Sequence, residues 1–251
     1  MTAVIEKKSS AAMPFSSLGY GCYALSGAYG SRPDECEMVR ILQKAYDLGI
    51  RLFDTAGCYT GTEEILGKAV KSYRHDISIA TKVGFTDDYG ISLSKEAVLA
   101  SCEASLKNLD TDYIDIYQVH YHDPDTCIEE TIEALEYLSK AGKIRHYGIG
   151  HLPLDITEEY LRKGNVSYVL AEMSPVSTSR YRELHPLQNI YGFDIIAFSI
   201  TGRGILSGKI NKRVQFSKDD IRSKDPLFIK SRLHSGINMA SKLREIGSKY
   251  N

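Results

Sequence analysis

The feature that most constrains the fold is a repeated alternation of short apolar segments with longer amphipathic ones. Short apolar runs bounded by turn residues are typical of buried strands, whereas apolar residues that recur every three or four positions indicate helices. Strands are predicted at 19–25, 51–56, 77–83, 113–120, 144–150, 166–174 and 193–200. Helices are predicted at 33–48, 62–69, 94–106, 128–140, 155–163 and 237–249, with Thr62 and Ser94 as N-caps.

This alternation predicts a parallel sheet, because parallel strands need crossover connections that are usually helical. Seven predicted strands without a dinucleotide-binding glycine fingerprint favour a TIM-type (β/α) barrel over an open, doubly wound sheet. With 43% hydrophobic residues, 251 residues can bury a sizeable core, as one large domain or two small ones. We therefore expect a single α/β barrel domain over residues 1–251.

Charge and cysteine usage exclude several classes of partner. Lys and Arg number 31 against 32 Asp and Glu, so the net charge gives no overall positive potential that would favour binding of nucleic acid or of an anionic membrane. The N-terminal segment lacks the apolar core of a signal peptide, and no run approaches the roughly 18 apolar residues of a membrane span. Five cysteines without a CxxC spacing argue against a disulfide framework or a structural zinc site. These observations predict a cytoplasmic protein.

Polar residues stand at the ends of three consecutive predicted strands. Asp54 comes at the end of the second strand, Lys82 at the end of the third and His120 at the end of the fourth, while Tyr59 follows Asp54 in a strand-to-helix loop. In a parallel barrel these ends open on the same C-terminal face, where active sites of such folds are built. We therefore expect the four side chains to converge.

The four residue types suit the polarisation of a carbonyl group. A buried Asp54 carboxylate needs a cation, which Lys82 can supply, and the same ammonium would stabilise a Tyr59 phenolate. His120 could donate a second hydrogen bond to a carbonyl oxygen. Without an activated Ser or Cys, this set fits carbonyl polarisation better than acyl transfer. Structural interpretations also exist, since an Asp at a strand end is often a cap and an inward Lys often forms an ion pair.

Several motifs resemble the aldo-keto reductase family: LGYGCYALSGAYG, FDTAGCYTGTEEILGKAV, IATKVGF, YIDIYQVHYHDPDTCIEETIEALEYLSKAGKIRHYGIG and AFSITGRGILSGK. The resemblance covers most of the chain. It implies a TIM barrel that reduces a small aldehyde or ketone with a nicotinamide cofactor, usually NADPH. The catalytic tetrad of the family falls on Asp54, Tyr59, Lys82 and His120, with the hydride coming from the cofactor and the proton from the tyrosine.

The resemblance also implies further site residues and no metal. Tyr23 lies where the family often has an aromatic residue of the substrate pocket. The segment from Ser199 to Leu206 matches the loop after strand seven that approaches the pyrophosphate of the cofactor. The cofactor-binding positions are Gly21, Cys22, His151, Ser199, Gly202, Arg203, Gly204 and Leu206.

The chain departs from the family pattern in three places. Gly150 and His151 stand where the family usually has Ser-Asn for the nicotinamide carboxamide, and Leu170 and Met173 stand where Gln and a stacking Tyr are usual. The sequence ends in the helix after strand seven, before the eighth strand and the loop that hold the 2′-phosphate. We therefore expect a barrel incomplete at the eighth unit. If Asn251 is the natural end of the chain and not the end of a fragment, we also expect weak cofactor binding with little preference between NADPH and NADH, and an edge covered by the last helix or a second subunit.

Two other functions are compatible with the same residues. The first is a redox-inactive binding or regulatory module, which the reduced set of cofactor contacts favours. The second is a metal-dependent hydrolase, because His120 and His122 form an HxH pair and His151 ends the next strand. A metal beside the Lys82 ammonium would be repelled, which makes the hydrolase the less favoured alternative.

Overall fold

The computed structural model describes residues 16–86 and 90–250, in which seven parallel strands pair in sequence order, β1 to β7. Each strand pairs with the next one along the chain, so the sheet curls into a nearly closed barrel. This arrangement confirms the predicted incomplete (β/α) barrel. The strands are β1 Gly19–Gly21, β2 Leu52–Asp54, β3 Ser78–Val83, β4 Ile114–Val119, β5 Ile144–Gly150, β6 Tyr168–Glu172 and β7 Asp194–Phe198.

A helix follows every strand, and the first is reached through a short 3-10 helix. Asp34 caps α1 by accepting a hydrogen bond from the Glu37 amide at 2.8 Å, and Ser94 caps α3 as predicted. In the described part of the chain, no helix is both long enough and apolar enough to cross a membrane. The helices are α1 Glu35–Asp47, α2 Thr62–Val70, α3 Lys95–Asn108, α4 Ile128–Lys140, α5 Leu154–Lys163, α6 Ser179–Tyr191 and α7 Lys230–Gly247.

The central strands are buried on both faces, which explains their nearly continuous apolar sequences. Alternate side chains such as Phe53, Ile79 and Tyr117 pack outward in the main hydrophobic core, which the helices share. The intervening positions form a smaller cluster inside the barrel, consisting of Leu52, Ala80, Ile116 and Tyr168 with Ile196 packed against it. Asp54, Lys82 and Gln118 share the parity of this inner cluster, so their side chains belong to the interior of the barrel.

Several local predictions were wrong. The first strand ends at Gly21, and residues Cys22–Ser26 form a 3-10 helix. Helix α6 was not predicted, because it contains Pro186 and lacks a regular apolar face, and α7 begins at Lys230 instead of 237. Thr62 is the first residue of α2 and not its N-cap. That position is held by Gly61 with φ 64°, and the Thr62 hydroxyl instead lies 2.7 Å from the Thr55 hydroxyl.

The edges of β1 and β7 face a groove of about 620 Å³ instead of pairing with each other in the described part of the chain. Backbone and side chains of both strands line this groove, and its inner end reaches Asp54. Helix α7 packs beside Ile205, after β7, and contributes no residue to the lining of the groove. Coverage by the last helix is therefore not observed, and coverage by a second subunit stays a prediction.

Candidate active site

The Asp54–Lys82 ion pair lies at the C-terminal end of the barrel. Lys82 Nζ donates to Asp54 Oδ1 at 2.6 Å and to the Thr55 carbonyl oxygen at 2.5 Å. The Lys82 side chain is 1% exposed, whereas that of Asp54 is 21% exposed. A desolvated ammonium is stable in this position because two oxygen atoms compensate its charge.

Tyr59 lies above this pair, on a tightly hydrogen-bonded loop. The Tyr59 amide donates to the Ala56 carbonyl at 2.9 Å, and its own carbonyl accepts from both the amide and the hydroxyl of Thr62. Lys82 Nζ is 5.2 Å from the centroid of the Tyr59 ring. Burial, reinforced by the Asp54 carboxylate, raises the pKa of Tyr59 well above its ordinary value. Tyr59 therefore keeps its proton in the resting site, and stabilisation of its phenolate by Lys82 stays a prediction for the reacting state.

His120 follows β4 and is surrounded by other rings. Its imidazole makes edge contacts with Tyr59 at 6.0 Å and with Phe85 at 5.3 Å, and lies tilted against Tyr121 at 4.7 Å between ring centroids. The residue is 4% exposed, and burial together with the Lys82 charge lowers the pKa of His120 to about 2. His120 is therefore neutral at physiological pH and carries a proton on only one of its ring nitrogens.

Aromatic side chains surround the mouth of the barrel on both sides of this set. Tyr23, the predicted pocket residue, lies in the 3-10 helix after β1, and its ring centroid is 4.9 Å from that of Tyr59. On the other side the ring of His151 stacks on Tyr121 and lies 4.9 Å from the ring of Phe198. The opening therefore presents flat apolar surfaces to a ligand that approaches Tyr59.

The loop after β7 places a cation beside this opening. Ser199, Gly202, Arg203 and Gly204 all have positive φ angles, and backbone of this kind can form concave anion-binding turns. Arg203 is already paired, with Asp225 Oδ2 at 3.0 Å and with Glu172 Oε1 at 3.2 Å. The Leu206 amide is used within the loop, where it donates to the Thr201 carbonyl. An anionic ligand would therefore have to compete with two carboxylates for Arg203.

The residues predicted to contact a cofactor divide into accessible and buried ones. Gly21 and Ser199 line the groove that reaches Asp54, together with Leu170 and Met173, and a Cβ atom at Gly21 would meet open space. His151 is exposed at the end of β5, whereas Gly202 is buried and Cys22 has no exposed surface. The structure thus gives Cys22 no surface for direct contact with a ligand.

Two buried polar atoms show that this groove suits a polar ligand. Asp54 Oδ2 and Ser199 Oγ are buried without a hydrogen-bond partner among the described residues. Unpaired buried polar atoms are costly, and both residues line the groove. The unpaired Asp54 acceptor and Ser199 hydroxyl, the open space at Gly21 and the nearby Arg203 fit a nicotinamide dinucleotide.

The sequence did not identify several residues that contact the predicted set. Cys58 Sγ lies 3.7 Å from His120 Nδ1, and Phe85 and Tyr121 flank the same ring. Cys58 and Tyr121 directly precede or follow predicted site residues, which is the signal that could have found them. Asp225 could not be found in this way, because it contacts Arg203 from a separate segment.

The HxH pair is not assembled into a metal site in the described part of the chain. There, no group of three or more His, Cys, Asp or Glu side chains is arranged to hold a metal ion. His120 Nδ1 instead contacts Cys58. His122 belongs to the loop after β4 and precedes Asp123, whose carboxylate accepts from the Leu93 amide at 2.8 Å.

Comparisons with known proteins agree on one family. The family model described as "Aldo/keto reductase family" matches residues 17–251. Among curated proteins, the chain is similar to the aldo-keto reductase YhdN of Bacillus subtilis, with 32% identity over 238 residues. That alignment covers 91% of this chain and 72% of the relative.

Solved structures show the same similarity. Glycerol dehydrogenase AKR11B4 from Gluconobacter oxydans superimposes with a TM-score of 0.84 at 26% identity, covering 93% of this chain and 74% of that one. An aldo/keto reductase from Klebsiella pneumoniae, solved in complex with NADP and acetate, has a TM-score of 0.66 at 26% identity. The superposition covers 76% of this chain and 66% of the Klebsiella chain.

Proposed function

Because the chain belongs to the aldo/keto reductase family, which matches residues 17–251, we propose that it reduces an aldehyde or a ketone with a nicotinamide cofactor and uses Tyr59 as the proton donor. Family membership supports an oxidoreductase. The choice of Tyr59 and the assignment of Asp54, Lys82 and His120 to the same reaction are finer proposals, and they depend on the geometry at the mouth of the barrel.

The observation that carries the proposal is the buried Lys82 ammonium, 2.6 Å from Asp54 Oδ1 and 5.2 Å from the centre of the Tyr59 ring. Tyr59 is a weak acid in the resting site, because burial raises its pKa. It gives up its proton only when a carbonyl oxygen beside it gains negative charge. Lys82 then stabilises the tyrosinate, and Asp54 holds Lys82 in place.

The reaction needs one hydride and one proton. A reduced nicotinamide, when bound in the groove, would supply the hydride. Tyr59 supplies the proton to the carbonyl oxygen, and the neutral His120 donates a hydrogen bond to the same oxygen while its charge develops. The aromatic rings of Tyr23 and Tyr121 line the mouth of the barrel and favour small apolar carbonyl compounds.

We propose NADPH as the cofactor, with NADH as the alternative. The Klebsiella relative was solved with NADP. In this chain Gly21 leaves space for the cofactor beside Asp54, and Arg203 offers a cation for a phosphate. Ser199 offers a hydroxyl group that has no hydrogen-bond partner among residues 16–86 and 90–250. The apolar Leu170 and Met173 give the nicotinamide ring a surface without hydrogen-bonding groups.

The Tyr59→Phe substitution tests the proposed function. NADPH oxidation with a panel of aromatic and aliphatic aldehydes should fall by about 10²- to 10⁴-fold in turnover, the usual effect of losing a general acid. Binding of NADPH, measured by fluorescence, should stay close to that of the wild type. Tyr23→Phe is the matched control, because its ring packs on Tyr59 and its substitution should change turnover far less. Wild-type turnover in Tyr59→Phe, with chemistry rate-limiting, would contradict the assignment.

A second candidate function is a redox-inactive binding module. The pairing of Arg203 with both Glu172 and Asp225 favours it, since a phosphate group would have to displace a carboxylate. Absence of NADPH binding at millimolar concentration, with the protein folded, would support this candidate against the reductase.

A further inference from the structure

Cys58 occupies a position in the site that the four proposed catalytic residues do not explain. It is exposed on the loop between β2 and α2, directly before Tyr59, and its Sγ atom lies 3.7 Å from Nδ1 of His120. The distance is within the range for a hydrogen bond that involves sulfur. Cys58 therefore contacts one member of the proposed catalytic set through its side chain and another through the backbone.

The contact matters because His120 is neutral. A neutral imidazole carries its proton on either Nδ1 or Nε2, and which nitrogen is protonated depends on the hydrogen bond made by the other. The rings of Phe85 and Tyr121 pack against the imidazole and restrict its rotation. The Cys58 contact takes up Nδ1, which leaves Nε2 as the nitrogen available to a substrate.

The chemistry of the two groups indicates the direction of the hydrogen bond. Although part of the Cys58 residue is exposed, desolvation of its thiol by the surrounding side chains is the main effect and raises the pKa of Cys58. Lys82 opposes this shift, and the group keeps its proton at neutral pH. An unprotonated imidazole nitrogen is a better acceptor than a thiol sulfur. The favoured arrangement is therefore S–H to Nδ1, with the imidazole proton on Nε2.

We propose that Cys58 is a positioning residue, which holds His120 in the Nε2-protonated tautomer so that Nε2–H can donate to the carbonyl oxygen of the substrate. The effect on catalysis rests on the proposed reductase function, whereas the effect on the tautomer does not. Cys58→Ala removes the donor, and Cys58→Ser keeps a hydroxyl donor of similar size at the same place. Comparison of these two variants therefore distinguishes the effect of the hydrogen bond from the effect of side-chain size.

The first measurement reports the tautomer without any activity. Long-range ¹H–¹⁵N correlation spectra of the protein labelled with ¹⁵N-histidine distinguish protonated from unprotonated ring nitrogens, and His120→Gln assigns the signals. We expect the wild type and Cys58→Ser to show Nε2–H, and Cys58→Ala to show a mixture of both tautomers. A wild-type His120 protonated on Nδ1, or a Cys58→Ala spectrum identical to that of the wild type, would overturn the proposal.

The second measurement is the turnover of aldehyde reduction with NADPH. In Cys58→Ala it should fall about tenfold, which is less than the 10²- to 10³-fold typical of deleting a transition-state donor, because His120 remains present. Cys58→Ser should restore most of the loss, and Cys36→Ala, an exposed cysteine on α1, should match the wild type. If Cys58→Ser is as slow as Cys58→Ala, the hydrogen bond does not position His120. If the wild type lacks reductase activity, the proposed function fails, and the spectra alone decide the role of Cys58.

Discussion

Lys82 donates to Asp54 across neighbouring strands at 2.6 Å, although the two residues are 28 positions apart in the chain. The parallel pairing of β2 with β3 brings them together, and the Thr55 carbonyl completes the environment of the ammonium. Each of the two charges needs the other for its stabilisation, because neither side chain is exposed enough for water to compensate the charge.

This dependence predicts strong coupling in a double-mutant cycle. Asp54→Ala leaves an uncompensated ammonium and should lower the free energy of unfolding by roughly 3–5 kcal/mol. The double variant Asp54→Ala with Lys82→Met should recover part of that loss, because no charge is left buried. Urea denaturation of the four proteins measures the coupling, and strictly additive losses would show that the pair does not contribute as a unit.

The buried His120 predicts a loss of stability in acid. Its pKa in the folded protein is about 2, below the ordinary value of 6.5, so as the pH falls below about 6 the unfolded chain takes up a proton that the native site excludes. The free energy of unfolding should drop by roughly 1.4 kcal/mol per pH unit from this group alone between about pH 6 and pH 4. Urea midpoints across this range provide the measurement.

The matched variants for this prediction are His120→Gln and His234→Gln. In His120→Gln the free energy of unfolding should fall less steeply with pH, by roughly 1.4 kcal/mol per pH unit. His234→Gln, on the exposed face of α7, should follow the wild type. Parallel curves for His120→Gln and the wild type would show that His120 titrates normally in the folded protein.

The pairing of Arg203 with Asp225 predicts that one carboxylate limits cofactor affinity. Asp225 Oδ2 lies 3.0 Å from Arg203 Nη1 and competes with any phosphate group for the guanidinium. Asp225→Asn should therefore lower the NADPH dissociation constant by up to about fivefold, the range expected for a partly exposed ion pair. Asp219→Asn is the control, because it removes the same charge from an exposed position nearby. Equal effects of both variants would assign the change to net charge.

The close contact between Gly67 and Leu109 predicts a destabilising Gly→Ala change inside a helix. A Cβ atom at Gly67 of α2 would lie 2.5 Å from the Leu109 carbonyl oxygen, a backbone atom that cannot move aside easily. Gly67→Ala should lower the free energy of unfolding by about 1–3 kcal/mol despite the better helix propensity of Ala. Gly247→Ala, in α7, meets nothing within 4 Å and should be neutral or slightly stabilising. Thermal denaturation compares the two.

Local patterns were enough to predict most of the framework. Apolar periodicity correctly predicts the strands at 114–119 and 144–150 and the helix at 128–140. In these segments the order of apolar and polar residues along the chain reflects which side chains are buried. Helix α6 was not predicted, because its many polar residues and Pro186 leave no regular apolar periodicity in the sequence. The placement of Asp54, Lys82 and His120 on one face followed from the rule that parallel strands end on the same side.

Tertiary structure alone decided how these side chains interact. The sequence identifies Tyr59 but not the state of its proton, because burial in the folded protein, together with the Asp54 carboxylate, raises the pKa of Tyr59. It identifies His120 but not Cys58 as the partner of Nδ1, 62 positions away. It identifies Arg203 but not the carboxylates of Glu172 and Asp225 that hold it. Periodicity and strand ends are local properties of the chain, whereas desolvation and the choice of a hydrogen-bond partner depend on which segments meet in the folded protein.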